Sequence, residues 1–84
     1  LIILTSVEKV CLNHGKEDEE ELDTISVEQA KQYMDEGHFG IYNMLPKFQA
    51  SVGFIEKKEG RSALITSFDT LKDALKGKTG TVIE

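Results

Sequence analysis

Tryptophan is absent from this chain, proline and cysteine occur once each, and no apolar run approaches the roughly 20 residues that cross a bilayer. The lone Cys11 excludes an internal disulfide. With no histidine or second cysteine at ligand spacing, it also excludes the usual zinc site. Basic residues are the minority, 10 against 15 acidic ones, and form no stripe interleaved with aromatics, so neither nucleic acid nor a membrane is an expected partner. Leu1-Ile2-Ile3-Leu4 is too short for a signal-peptide core and has no basic residues ahead of it. A reducing cytoplasm is the compartment these absences fit. No repeat, low-complexity tract or linker divides the chain, so residues 1–84 are expected to form one domain with a thin core.

What is present is unevenly distributed. The net charge is −5, yet Glu17, Asp18, Glu19, Glu20, Glu21 and Asp23 alone supply six negative charges, which leaves the remainder close to neutral. The stretch 16–23 reads as a solvated loop, and it lacks the alternating ligands and turn glycine of a calcium loop. The four apolar residues at the start read as a strand covered on both faces, of the kind found inside a parallel sheet. Such strands seldom open a domain, so the chain is expected to begin partway through a larger fold. Val10-Cys11-Leu12 reads as a second short strand with Cys11 facing the core, ending at Asn13-His14-Gly15.

Ser26 with Gln29 forms a capping-box pattern, and Val27, Ala30, Tyr33 and Met34 recur at helical spacing up to Gly37. A second helix opens near Pro46 and carries Phe48, Val52 and Ile55 on one face until Gly60. Gly53 inside it should cost about 1 kcal/mol relative to alanine, which close packing against a neighbour would explain. Residues 62–66 read as a buried strand. Ser67 is placed to cap a helix that turns Phe68, Leu71 and Leu75 inward, and Thr79 to Ile83 reads as a last strand. This alternation predicts an α/β fold, with helices covering a mostly parallel sheet.

The order Met44-Leu45-Pro46-Lys47 carries the sharpest chemical signal. Proline is favoured at the first helical position, and the partial positive charge and unpaired N–H groups of a helix start, beside a lysine, make a seat for phosphate. A capped surface helix that binds nothing has the same signature. Lys76 and Lys78 suit a helix end, and Lys57, Lys58 and Arg61 read as a solvated turn.

Taken together, the first strand ending in Leu4-Thr5-x-Val7, then Met44-Leu45-Pro46-Lys47, then Ala63-Leu64-Ile65-Thr66-Ser67, and finally Gly77-Lys78-Thr79-Gly80-Thr81-Val82-Ile83 resemble the carboxyl-terminal part of carbamate kinase, within the amino-acid kinase family. The resemblance covers essentially the whole chain. It implies a three-layer helix-sheet-helix fragment, the nucleotide-binding part of that fold. It also implies reversible phosphoryl transfer between carbamoyl phosphate and ADP, giving ATP and carbamate, in a cytoplasmic homodimer serving arginine metabolism, with ADP/ATP bound together with Mg. Carried onto matching positions, Lys47 would contact the nucleotide phosphates as the catalytic lysine and Met44 would pack on the adenine side. The strand Val10, Cys11 to Asn13 would form the other lip of the pocket. His14 would either stack on adenine or sit in an exposed turn.

Two departures from the family pattern bear on activity. The family usually has Thr-Asp-Val where this chain has Thr5-Ser6-Val7, and Gly-Ser-Met where it has Tyr42-Asn43-Met44. The family's upstream glycine-rich turns and its other phosphate-holding lysines are not in these residues. Three readings therefore stand: the nucleotide portion of a carbamate kinase, a non-catalytic binding module on the same scaffold, or a structural fragment whose exposed core surface pairs with itself or with an upstream half.

Overall fold

A computed structural model describes residues 1–13, 17–39 and 44–84. The capping box forms as the sequence predicts. The Gln29 backbone N–H donates to the Ser26 hydroxyl at 3.0 Å, and the Ser26 N–H donates to Oε1 of Gln29 at 2.9 Å. Helix α1 runs Val27–Asp35, with Ala30 buried and Val27, Tyr33 and Met34 packed on the core. Helix α2 runs Met44–Glu56, so Pro46 is its third residue rather than its first. Its missing N–H costs nothing there, because the first four amide groups of a helix have no partner within the helix. The face formed by Phe48, Val52 and Ile55 turns inward as expected, with Phe48 fully buried.

Among the described residues six strands accompany the helices. They are β1 (Ile2–Thr5), β2 (Cys11–Leu12), β3 (Glu20–Glu21), β4 (Thr24–Ile25), β5 (Ala63–Ser67) and β6 (Thr81–Ile83), with a short helix α3 (Leu71–Leu75) between the last two. The main sheet has the order β1-β5-β6-β4. Two of its three pairings are parallel, β1 with β5 and β4 with β6, while β5 and β6 are antiparallel. The sheet is therefore mixed but mostly parallel, and α3 is a return connection rather than a crossover.

Ile3, Ile65 and Ile83 point to the face covered by α1 and α2. Leu64 points the other way, towards α3, where its side chain and that of Ala74 crowd Gly80. Helix, sheet and helix thus form three layers of unequal cover.

That inequality corrects the reading of the first strand. Ile2 pairs with Leu64 and so lies on the α3 face, but α3 is too short to reach it, leaving Ile2 48% and Leu4 44% exposed at a sheet edge. Only Ile3, on the opposite side of the pleat, meets the core. The helix after β5 also differs. The strand extends through Ser67, whose hydroxyl bonds Thr70 instead of capping, and α3 starts only at Leu71. Phe68 falls in the intervening turn and is 76% exposed, Leu75 is 61% exposed, and the inward residue is Ala74.

The acidic stretch is not all loop. Glu20 and Glu21 pair with Leu12 and Cys11 in a second, two-stranded sheet, and Leu22 behind them is buried. Arg61 is no free turn residue either: its guanidinium lies 4.4 Å from the Phe54 ring centre and donates to the Phe54 carbonyl at 3.2 Å. Among the described residues no helix is long and apolar enough to cross a membrane.

The two internal glycines of interest behave oppositely. Gly53 has nothing within 4 Å of where a Cβ would sit, so close packing does not explain it. Gly80 has φ +87°, and a Cβ there would lie 2.9 Å from Leu64 Cδ1 and 3.2 Å from Ala74 Cβ. Gly53→Ala is expected to raise stability by about 0.5–1 kcal/mol. Gly80→Ala is expected to lower it by about 1–3 kcal/mol through overpacking and the left-handed backbone. Urea unfolding of the two variants checks both signs, and equal shifts would contradict the geometry.

Candidate functional site

The carboxyl end of β1 opens onto a cavity of about 370 Å³, within the range of small-molecule sites. Crevices outside the carboxyl ends of parallel strands are where open α/β sheets bind ligands. The chain from Thr5 to Cys11 forms one wall, Glu21 of β3 extends it, and His38, Phe39 and Met44 close the opposite side.

The wall segment is pinned from below at three points. The Thr66 hydroxyl donates to the Glu8 carbonyl at 3.2 Å, the Thr79 hydroxyl donates to the Glu8 carboxylate, and Lys9 pairs with Asp23. The hydrogen bond to Asp23, with the negative charges of Asp23, Glu21 and Glu8, holds the Lys9 ammonium above its ordinary range despite some desolvation. A fourth tie is buried: the Val10 N–H donates to the Thr81 hydroxyl at 2.9 Å, and that hydroxyl donates to the Leu22 carbonyl at 2.6 Å.

Opposite stands an aromatic group. Phe39 stacks on the buried Phe48 with ring centres 4.1 Å apart, and His38 meets Tyr33 edge-on at 5.8 Å while bonding Glu36 at 3.0 Å. Hydrogen bonds from Gln32 and then His38 hold the Glu36 carboxyl below the usual carboxylate range.

Of the residues singled out from sequence, Val10, Cys11 and Met44 lie in the cavity wall. Cys11 is half-buried there, not in the core, because β2 alternates: Val10 and Leu12 take the inward positions and turn the thiol outward. Lys47 sits beside the cavity rather than in its wall. Its ammonium donates to the Thr5 hydroxyl at 2.7 Å, and among the described residues no carboxylate pairs with it. Asn13 is directed elsewhere, with φ 54° and its amide donating to Asp18 at 3.1 Å, and it is not in the wall. His14, Tyr42 and Asn43 lie outside the described residues.

Sequence reasoning gave Thr5 no role beyond its place in the Leu4-Thr5-x-Val7 motif, and none to Glu8 or Phe39. A hydroxyl at the end of a strand was the available signal for Thr5. Phe39 had none, since its partner Phe48 lies nine residues further along the chain with no shared periodicity.

No family model matches the chain. It is 51% identical over 99% of its length to the carbamate kinase-like protein YqeA of Escherichia coli, and 48% identical over its full length to carbamate kinase 3 of Staphylococcus aureus. Its fold superposes on a carbamate kinase from Giardia lamblia bound to AMP-PNP with a TM-score of 0.91, at 40% identity over 99% of the chain. This chain matches one part of a carbamate kinase. It spans about a quarter of those relatives, 27% of each bacterial protein and 26% of the Giardia chain, in a manner consistent with the carboxyl-terminal portion.

The Cys11 thiol of this carbamate kinase-like chain is pushed above its ordinary range, first by burial and then by the charges of Glu19 and Glu21, with Lys9 opposing. Less thiolate is therefore present at neutral pH. Iodoacetamide is expected to alkylate Cys11 more slowly than it alkylates glutathione, with the rate climbing as pH rises beyond the ordinary thiol range. Glu21→Gln removes one repelling charge and is expected to speed the reaction at fixed pH. Mass spectrometry of the time course checks this, and a glutathione-like rate indifferent to that change would contradict it.

Proposed function

We infer that this chain is the nucleotide-binding portion of a carbamate kinase, a protein that moves a phosphoryl group reversibly between carbamoyl phosphate and ADP. The single observation carrying this reading is the Lys47 ammonium, held at the rim of the cavity by a neutral hydroxyl and paired with no carboxylate among the described residues. A charge in that state remains available to a polyphosphate. The Giardia lamblia carbamate kinase of the same fold was bound to AMP-PNP, which supports a nucleotide as the ligand.

In this reading the adenine side lies against Met44 and Val10, with Cys11 in the same wall, and the phosphates lie towards Lys47 and the first turn of α2. Phosphoryl transfer proceeds through a loose transition state with charge spread over oxygen atoms, so positioned positive groups matter more than covalent chemistry. Among the described residues no group of three or more His, Cys, Asp or Glu side chains could hold a metal. Magnesium is commonly held by one or two carboxylates together with substrate phosphates, and Glu8 and Glu21 are the wall carboxylates that could serve. The same reading places the whole protein in the cytoplasm, in arginine metabolism and as a homodimer. Residues 1–84 form a partial domain of it, with the carbamoyl phosphate site outside these residues.

Ser6 in the cavity wall favours a second reading, a non-catalytic module. A carboxylate stands at that position in the family pattern, and here a hydroxyl replaces it.

Calorimetric titration with ADP is expected to show binding, and Lys47→Ala is expected to weaken it by at least about threefold, as loss of a charged hydrogen bond would. Absence of binding, or an unchanged affinity in the variant, would remove the nucleotide assignment. In a coupled assay for ATP formation from carbamoyl phosphate and ADP, the isolated chain is expected to show no turnover, since one substrate has no site in it. Clear turnover would overturn that expectation.

A further inference from the structure

We propose that Thr5 is a positioning residue, whose hydroxyl fixes the Lys47 ammonium over the cavity so that it discriminates nucleotides by their phosphates. The proposal rests on the nucleotide reading above and adds the device that makes the lysine selective.

Three observations carry it. Thr5 lines the cavity and Lys47 does not, so the 2.7 Å hydrogen bond between them is the link that brings the charge to the ligand space. The two residues lie on different elements, the end of β1 and the first turns of α2, and both elements are anchored independently. Thr5 is in register with Ser67 of β5, and Phe48, next to Lys47 in α2, is fully buried in the same core as Ile65 of β5. The distance from strand end to helix start is therefore fixed by the fold, and the side-chain bond spans it.

The third observation is chemical. A lysine side chain has about 2 kcal/mol of rotamer freedom to lose, so an untethered ammonium would sample many positions near the cavity. A carboxylate tether would order it but would also compete with phosphate for its charge. A threonine hydroxyl orders the ammonium and leaves it positive. The ammonium has three protons and the hydroxyl accepts one of them, which leaves two for phosphate oxygens.

The test compares the wild-type chain with Thr5→Val and Thr5→Ser in two measurements. In the first, without nucleotide, reductive methylation followed by mass spectrometry reads the reactivity of Lys47. Thr5→Val is expected to raise it severalfold and Thr5→Ser to return it towards the wild-type level. In the second, ADP and adenosine are titrated separately. Thr5→Val is expected to weaken ADP by about fivefold, less than loss of a charged hydrogen bond to the ligand because the ammonium itself remains, and to leave adenosine unchanged, with Thr5→Ser restoring ADP.

Equal loss for ADP and adenosine would mean a structural role and would overturn the proposal, as would unaltered methylation and ADP affinity in Thr5→Val. If the wild-type chain binds no ADP while the methylation pattern follows the threonine hydroxyl, the nucleotide reading fails and the Thr5–Lys47 tether stands. If ADP binds and methylation ignores Thr5, the nucleotide reading stands and the tether fails.

Discussion

The hydroxyl of Thr81 joins the two sheets of this protein. It is fully buried, accepts the amide proton of Val10 and gives its own proton to the Leu22 carbonyl. Those two backbone groups flank the short β2–β3 pair. Without that oxygen both would lie buried and unbonded, at a cost of roughly 1–3 kcal/mol each. The pair itself has only two residues per strand and cannot hold its own position. This threonine of the last strand therefore ties the short pair to the main sheet, beside the contacts that Thr66, Thr79 and Asp23 make with the same wall.

From that anchor the site follows by simple geometry. Burying Val10 and Leu12 turns Cys11 outward, and pinning Glu8 and Lys9 stiffens the segment that continues from β1. Opposite, Phe39 rests on Phe48 of α2, so the far wall is packed on the helix that carries Lys47. The result is a concave space between a hydrogen-bonded wall and an aromatic one, with the Lys47 ammonium tied at its edge by a neutral oxygen. The unequal cover of the sheet is part of the same design. Its α1–α2 face is closed by two helices, whereas the five-residue α3 leaves Ile2 and Leu4 open at the edge.

Much of the fold was legible in particular residues. Ser26 and Gln29 announced the start of α1 because capping is a contact within a few residues. Phe48, Val52 and Ile55 announced the inner face of α2 by helical spacing. The central strand β5 was legible as a short apolar run. Where reading failed, length was the cause. Two-residue strands made of Glu20 and Glu21 carry no periodic signal, and a turn after β5 displaced Phe68 from the helix that its spacing implied. Of the residues named through the resemblance to carbamate kinase, Val10, Cys11 and Met44 line the cavity and Lys47 stands beside it, while Asn13 turned towards Asp18.

Sequence alone determined the longer local elements, their order, and the placing of one lysine near a helix start, because each depends on residues a few positions apart. Tertiary structure decided which faces stay open, which way Cys11 points, and what Lys47 holds. Its partner Thr5 is 42 residues away, and Thr81 is 71 residues from Val10. Contacts at such separations depend on how strands are ordered in the sheet, and no short-range pattern of apolar and polar residues encodes that order.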